Sequence, residues 1–248
     1  MTKQLKIRTI LTQWFAPLTL FGMAVFLVPV FAQGQTVAVD DSAITSPGAP
    51  VTIDVLTNDN PGSGTWDLSK VKSLDPPPAN GTLQYNQTDG TFIYTPNAGV
   101  ISLVDSDYLP LPAYTFNYEA CDNGGSCASA VVSIVVAYEA DLNIIPKKLN
   151  VKKMGVIPVK IGGVEGLDIT MIDPYSLMLE GVAPVRSNMP GGKKLTLKFK
   201  AQDIVRDLQS VPDRLPVILQ FTGATLNGEA IFGEDSVIIL NKSKGNNK

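Results

Sequence analysis

Four oxygen-bearing side chains, Asp40, Asp41, Asn58 and Asp59, stand in two short Asp/Asn-rich stretches of the chain. Hard cations take several oxygen ligands, and turns at one end of a β-sandwich can supply them from separate loops. These four residues are therefore the candidate metal ligands, with Ca2+ the only cofactor they imply. The same residues have a plainer use. Asn58 and Asp59 can hydrogen-bond their own backbone to hold a turn, and Asp40-Asp41 can be an exposed strand edge. No EF-hand loop or Gly-rich calcium-binding repeat is present, so a calcium site would be assembled from separate loops.

The chain has two cysteines, Cys121 and Cys127, separated by Asp122-Asn123-Gly124-Gly125-Ser126. A hairpin would bring them together as a structural disulfide, which stabilises by about 2 kcal/mol for so short a loop in the chain-entropy model. A redox or metal pair is the competing use. Five intervening residues, no further cysteine and no histidine disfavour it.

The absence of histidine excludes Ser-His-Asp and Cys-His nucleophilic sites and imidazole-ligated metals. Asp105 with Asp107, or Glu234 with Asp235, are nominal carboxylate pairs for glycoside cleavage. Neighbours so close in sequence are rarely presented across a substrate bond. No catalytic residue is assigned, and the chain is read as non-enzymatic. Trp66, Tyr85, Phe92 and Tyr94 would form a sugar-stacking platform if they shared an exposed face, but Phe92 and Tyr94 alternate with Ile93 as core residues of a strand do.

The elements that must position these residues are strands. Val51, Ile53 and Val55 alternate with Thr52 and Asp54; Tyr114, Phe116 and Tyr118 alternate with Thr115 and Asn117; Val132, Ile134 and Val136 keep the same period. Turn-rich segments such as Asn58-Asp59-Asn60-Pro61-Gly62 and Thr88-Asp89-Gly90 separate them. A second β-rich stretch follows, with strands expected over 156–161, 167–172, 176–182, 195–199, 216–221 and 236–240. Ala201, Ile204, Val205 and Leu208 recur at helical spacing and predict one short helix. The fold class is all-β: two immunoglobulin-like β-sandwich modules, the second with a short helix, at 35–138 and 140–241.

Lys3, Lys6 and Arg8 precede an apolar stretch from Ile10 to Val30 and small residues at Ala32, the pattern of a signal peptide over 1–32. Cleavage after Ala32 would leave 248 minus 32, or 216 residues. Retention as an N-terminal membrane anchor is the alternative. The lysine- and asparagine-rich end, 242–248, reads as a disordered tail. The chain carries 20 basic and 23 acidic residues; losing three basic ones with the leader leaves 17 against 23, a net charge of −6. That balance argues against a nucleic-acid partner.

Val37-Ala38-Val39-Asp40-Asp41-Ser42 and Val51-Thr52-Ile53-Asp54-Val55-Leu56-Thr57-Asn58-Asp59 resemble the opening of bacterial cadherin-like, immunoglobulin-like repeats of the VLxND type. Asp89-Gly90-Thr91-Phe92-Ile93-Tyr94-Thr95-Pro96 and Tyr114-Thr115-Phe116-Asn117-Tyr118 resemble later strands of the same repeats, although Val100 to Pro112 is longer and more acidic than expected. Leu149 to Val159, with Ile172-Asp173-Pro174, resembles a C-terminal β-module of exported bacterial proteins that has no established activity. The resemblance implies a structural or adhesive protein, secreted, periplasmic or on the cell surface of a bacterium. The alternative is an accessory protein that recognises glycan or a surface polymer, with calcium. The expected partner is a surface protein or polysaccharide, with no integral membrane span after cleavage.

Overall fold

The computed structural model describes residues 34–150, 152, 155–188, 194–206 and 213–240. The leader, its cleavage point and the tail expected at 242–248 lie outside them. Two compact units result: the first runs through Val100 and resumes at Pro112–Val135, and the second comprises Ile101–Leu111 and the chain from Val136 onward.

The first unit holds β1 (Asp41–Thr45), β2 (Val51–Asp54), β3 (Lys72–Ser73), β4 (Gly81–Asn86), β5 (Thr91–Pro96), β6 (Tyr114–Cys121) and β7 (Cys127–Val136). They form two sheets, ordered β1-β7-β6-β3 and β2-β5-β4. Period-two alternation buries Phe116, Tyr118 and Ala120 of β6 and Ala130, Val132 and Ile134 of β7 while their neighbours face outward. Aromatic rings close the space between the sheets. Phe92 of β5 meets Phe116 of β6 edge-on at 5.1 Å, and Tyr94 of β5 stacks on Tyr114 of β6 at 5.4 Å. The β4–β5 hairpin requires Gly90: its φ is +79°, and a Cβ there would lie 2.7 Å from a Leu56 methyl.

The second unit holds β8 (Tyr138–Ile144), β9 (Lys148–Asn150), β10 (Val156–Val164), β11 (Met178–Leu179), β12 (Arg186–Asn188), β13 (Leu195–Lys200), α1 (Ala201–Val205), β14 (Pro216–Ala224) and β15 (Ala230–Leu240). Hydrogen bonding follows the order β11-β14-β15-β8-β10-β13-β12, with β9 also on β15. Ile144, Ile161, Leu197, Phe199, Phe221 and Ile239 are among the core side chains. Helix α1 buries Ile204 and Val205; Leu208 lies outside the described residues.

Two strand expectations are corrected. Within 167–172 the chain forms a 3-10 turn, Ile169–Met171, because Asp168 Oδ1 accepts the Thr170 N–H at 2.9 Å and holds a helical start. Within 176–182 only Met178–Leu179 pairs with β14. Glu180 and Gly181 then take φ of 52° and 72° and reverse the chain.

The acidic stretch from Val100 to Pro112 also has a structural role. Ser102, 2% exposed, bonds Val136 twice: its N–H donates to Val136 O at 2.8 Å, and its Oγ accepts the Val136 N–H at 3.0 Å. Its carbonyl accepts the Ala230 N–H at 2.8 Å, and the Val104 N–H donates to Gly228 O at 2.9 Å. Residues Ile101–Leu111 are thereby tied to β15 and the turn before it.

Candidate functional site

The four candidate ligands divide into separate roles at one end of the first unit. Asp40 Oδ1 accepts the Val131 N–H of β7 at 2.9 Å. Asn58 Nδ2 donates to the carbonyls of Val39, at 3.4 Å, and Asp40, at 3.3 Å. Asp59 Oδ1 accepts the Val39 N–H at 2.8 Å, and its Oδ2 accepts the Tyr118 hydroxyl at 2.8 Å. The Tyr118 oxygen also lies 3.2 Å from Val55 O and 3.3 Å from Val39 O. Three candidates thus brace backbone, as turn and edge residues do.

Asp41 differs. It begins β1 close to Asp59, and its Oδ2 is buried with no hydrogen-bond partner. Burial, with Asp59 the next contributor and Asp54 adding a little, pushes its carboxyl up to about 7, while Tyr118 and Asn58 pull the other way. Burial also raises Asp59, against the opposing hydrogen bonds from Val39 and Tyr118. Tyr118, desolvated and donating to a carboxylate, is raised far above an ordinary phenol. Two carboxyl groups facing one buried hydroxyl can hold a proton or attract a cation. No spacing rule in the sequence marks Tyr118, whose position on β6 brings it to residues 59 to 77 places earlier.

Cys121 and Cys127 are directly opposite in the β6–β7 register and are joined as a disulfide. Among the described residues, the one group of His, Cys, Asp or Glu side chains with three ligand atoms in mutual reach is Glu119, Cys121 and Cys127. Both of its sulfurs are in the disulfide, so it offers no thiolate to a metal.

Asp105 Oδ1 accepts the N–H groups of Asp107 and Leu109, each at 2.9 Å, and so closes a turn. Asp235 Oδ2 accepts the Ile144 N–H at 2.7 Å and pairs with Lys147. Phe92 and Tyr94 are 1% and 0% exposed, and Tyr85 packs on Phe92 at 5.1 Å while its hydroxyl donates to Leu68 O. Phe92 and Tyr94 are core and Tyr85 is half-buried against Phe92, so the three offer no open platform to a sugar. The exposed aromatic that composition did not single out is Tyr175 in the second unit, with 85% of its surface accessible. No helix among the described residues is long and apolar enough to cross a membrane.

No curated protein matches the chain. Among solved structures it is similar to the N-terminal eight Ig domains of Down syndrome cell adhesion molecule isoform 1.30.30, at 13% identity and TM-score 0.29, covering 83% of this chain and 24% of that one. It is also similar to SGBP-B of the Bacteroides ovatus mixed-linkage glucan utilization locus, solved with a mixed-linkage heptasaccharide, at 17% identity and TM-score 0.24, covering 79% and 43%. The protocadherin GammaB4 extracellular domain gives 17% identity and TM-score 0.25, covering 83% and 32%. The chain spans less than half the length of each, and at such TM-scores the likeness bears on no shared function. Residues 33–135, which take in the first unit together with Ile101–Leu111, match the family model of the bacterial Ig domain.

Proposed function

We propose that this is an exported, non-enzymatic structural or adhesive surface protein of a bacterium, with a cadherin-like Ig repeat of the VLxND type followed by a C-terminal β-module. The observation that carries the reading is how its carboxylates are used. Asp40, Asp59, Asp105, Asp122, Asp168 and Asp235 each accept backbone N–H groups and lock loops, which builds a scaffold rather than a reacting centre. Protease shaving of intact cells tests the location, and incubation of purified protein with surface polysaccharides tests the chemistry. Shaving should remove the protein and the polysaccharide should stay intact. Protection of the protein inside the cell, or release of reducing ends, would overturn the reading.

A second reading, an accessory protein that recognises a surface glycan, is favoured by the bare Tyr175 ring. Calcium belongs to the proposal at Asp41 and Asp59, where the unpartnered buried oxygen of Asp41 would gain most from a cation.

A further inference from the structure

Tyr175 does not hang from a loose loop. Its N–H donates to Asp173 Oδ1 at 2.9 Å. The adjoining Ser176 is fully buried, with its Oγ donating to Asp173 O and accepting the Ala224 N–H, each at 2.7 Å. The turn is thus fastened to β14 while the ring projects outward. Pro174, Tyr175, Pro184, Val185 and Arg186 line a groove of about 270 Å³. Pockets that bury drug-sized ligands measure roughly 300–1,000 Å³, so this groove is smaller than such a pocket and suits about one ring.

Arg186 leads from the groove onto the outer face of a sheet. It stands directly opposite Lys198, so the two side chains share a face. Leu197 and Phe199 are buried, which turns Lys198 and Lys200 outward; Val159 and Ile161 are buried, which turns Lys160 the same way. Four cations therefore occupy the outer face of β10, β13 and β12. Among the described residues none of the four forms a salt bridge. Two carboxylates on β8, Glu139 and Asp141, also face outward, and Asp141 lies over Gly162. Like charges placed opposite one another destabilise a sheet, and the chain as a whole is net −3, so stability does not account for this cluster. An extended polyanion would relieve it.

We propose that this face, together with Tyr175, binds an acidic polysaccharide: a sugar ring stacks on Tyr175, and successive carboxylates pair with Arg186 and the three lysines. The proposal rests on the glycan-recognition reading and names its ligand class. Asn188, Thr196, Lys160 and Asn143 form one row across this face, so amides and a hydroxyl stand among the cations. They suit sugar hydroxyls, while exposed Val156 opposite Lys200 and Val185 beside Arg186 are the apolar groups a membrane would use, and the vesicle probe separates the two.

The test is binding of the full chain to fluorescent alginate, with dextran, phosphatidylglycerol vesicles and double-stranded DNA as competing probes. Alginate should bind, weaken with salt, and be preferred over all three. The double variant Arg186→Glu, Lys198→Glu should lose about tenfold or more in affinity, and Tyr175→Ala should lose about threefold or more, with no thermal midpoint lowered, since these exposed groups contribute no core packing. Unchanged affinity in the double variant, or preference for vesicles or DNA, overturns the proposal. Tyr175-dependent binding of dextran without alginate overturns the acidic ligand and leaves glycan recognition standing, whereas binding to neither saccharide overturns both.

Discussion

The hydroxyl of Tyr118, in the middle of β6, donates to Asp59 Oδ2 at 2.8 Å, fastening a loop to a strand 59 residues away. Tyr118 is fully buried, so a polar group deep in the sandwich is satisfied by the same contact that places the loop. Asp41, on β1, lies close to the same hydroxyl.

Removing that hydroxyl should loosen the whole end of the unit. Tyr118→Phe keeps the ring packed but leaves Asp59 Oδ2 without its donor, at a cost of about 1.5–3 kcal/mol for a hydrogen bond to a charged group. Denaturant unfolding followed by first-unit fluorescence should show the loss, and an unchanged midpoint would contradict it.

The Asp41 carboxyl gives this end an unusual pH response. The folded protein retains its proton up to about 7, whereas its ordinary value is 3.8, so between those values the folded state binds more protons than the unfolded one. The contribution is fully present below the ordinary value and is lost as pH rises through the folded one. Asp59 shifts in the same direction. Asp41→Asn removes the buried charge, and the variant should gain thermal stability over the parent at about pH 8 but little at about pH 4. Parallel curves for the two proteins would refute this.

A cation would compete for the same place. Calcium in millimolar excess should raise the thermal midpoint and chelator should return it, since a ligand bound to the folded state alone stabilises it by mass action. Asp41→Asn should abolish the rise. It is a cleaner variant than a change at Asp59, whose two oxygens hold Val39 and Tyr118 in place. The absence of any shift in the parent would remove calcium from this protein's proposed function.

Ser176 supports Tyr175 from beneath. Ser176→Ala would leave the buried Ala224 N–H without its side-chain acceptor, at a cost of about 1–3 kcal/mol, and would free the turn that carries the ring. Calorimetry should show the destabilisation. Ser176→Thr, which keeps a hydroxyl, tests whether the loss comes from the bond rather than the volume.

Much of the strand content was legible in the chain itself. Phe116 and Tyr118 alternate with Thr115 and Asn117 because successive side chains in a strand face opposite ways, and the structure buries the first pair and exposes the second. Cys121 and Cys127 flank a turn-rich segment, so a hairpin sufficed to join them. Local hydrogen bonds misled where they outweighed apolar patterning: Asp168 and the Glu180-Gly181 reversal interrupt stretches that read as strands.

Sequence by itself determined the period-two patterning, the all-β class and the lack of any histidine for catalysis, because these depend on residue type and near neighbours. Tertiary structure alone decided which polar groups meet. Asp41, Asp59 and Tyr118 converge because separate elements pack together, and Arg186 faces Lys198 because two strands pair in one register and not the next. Neither relation has a local signature, since strand pairing joins residues by hydrogen bonds to backbone groups that every residue carries.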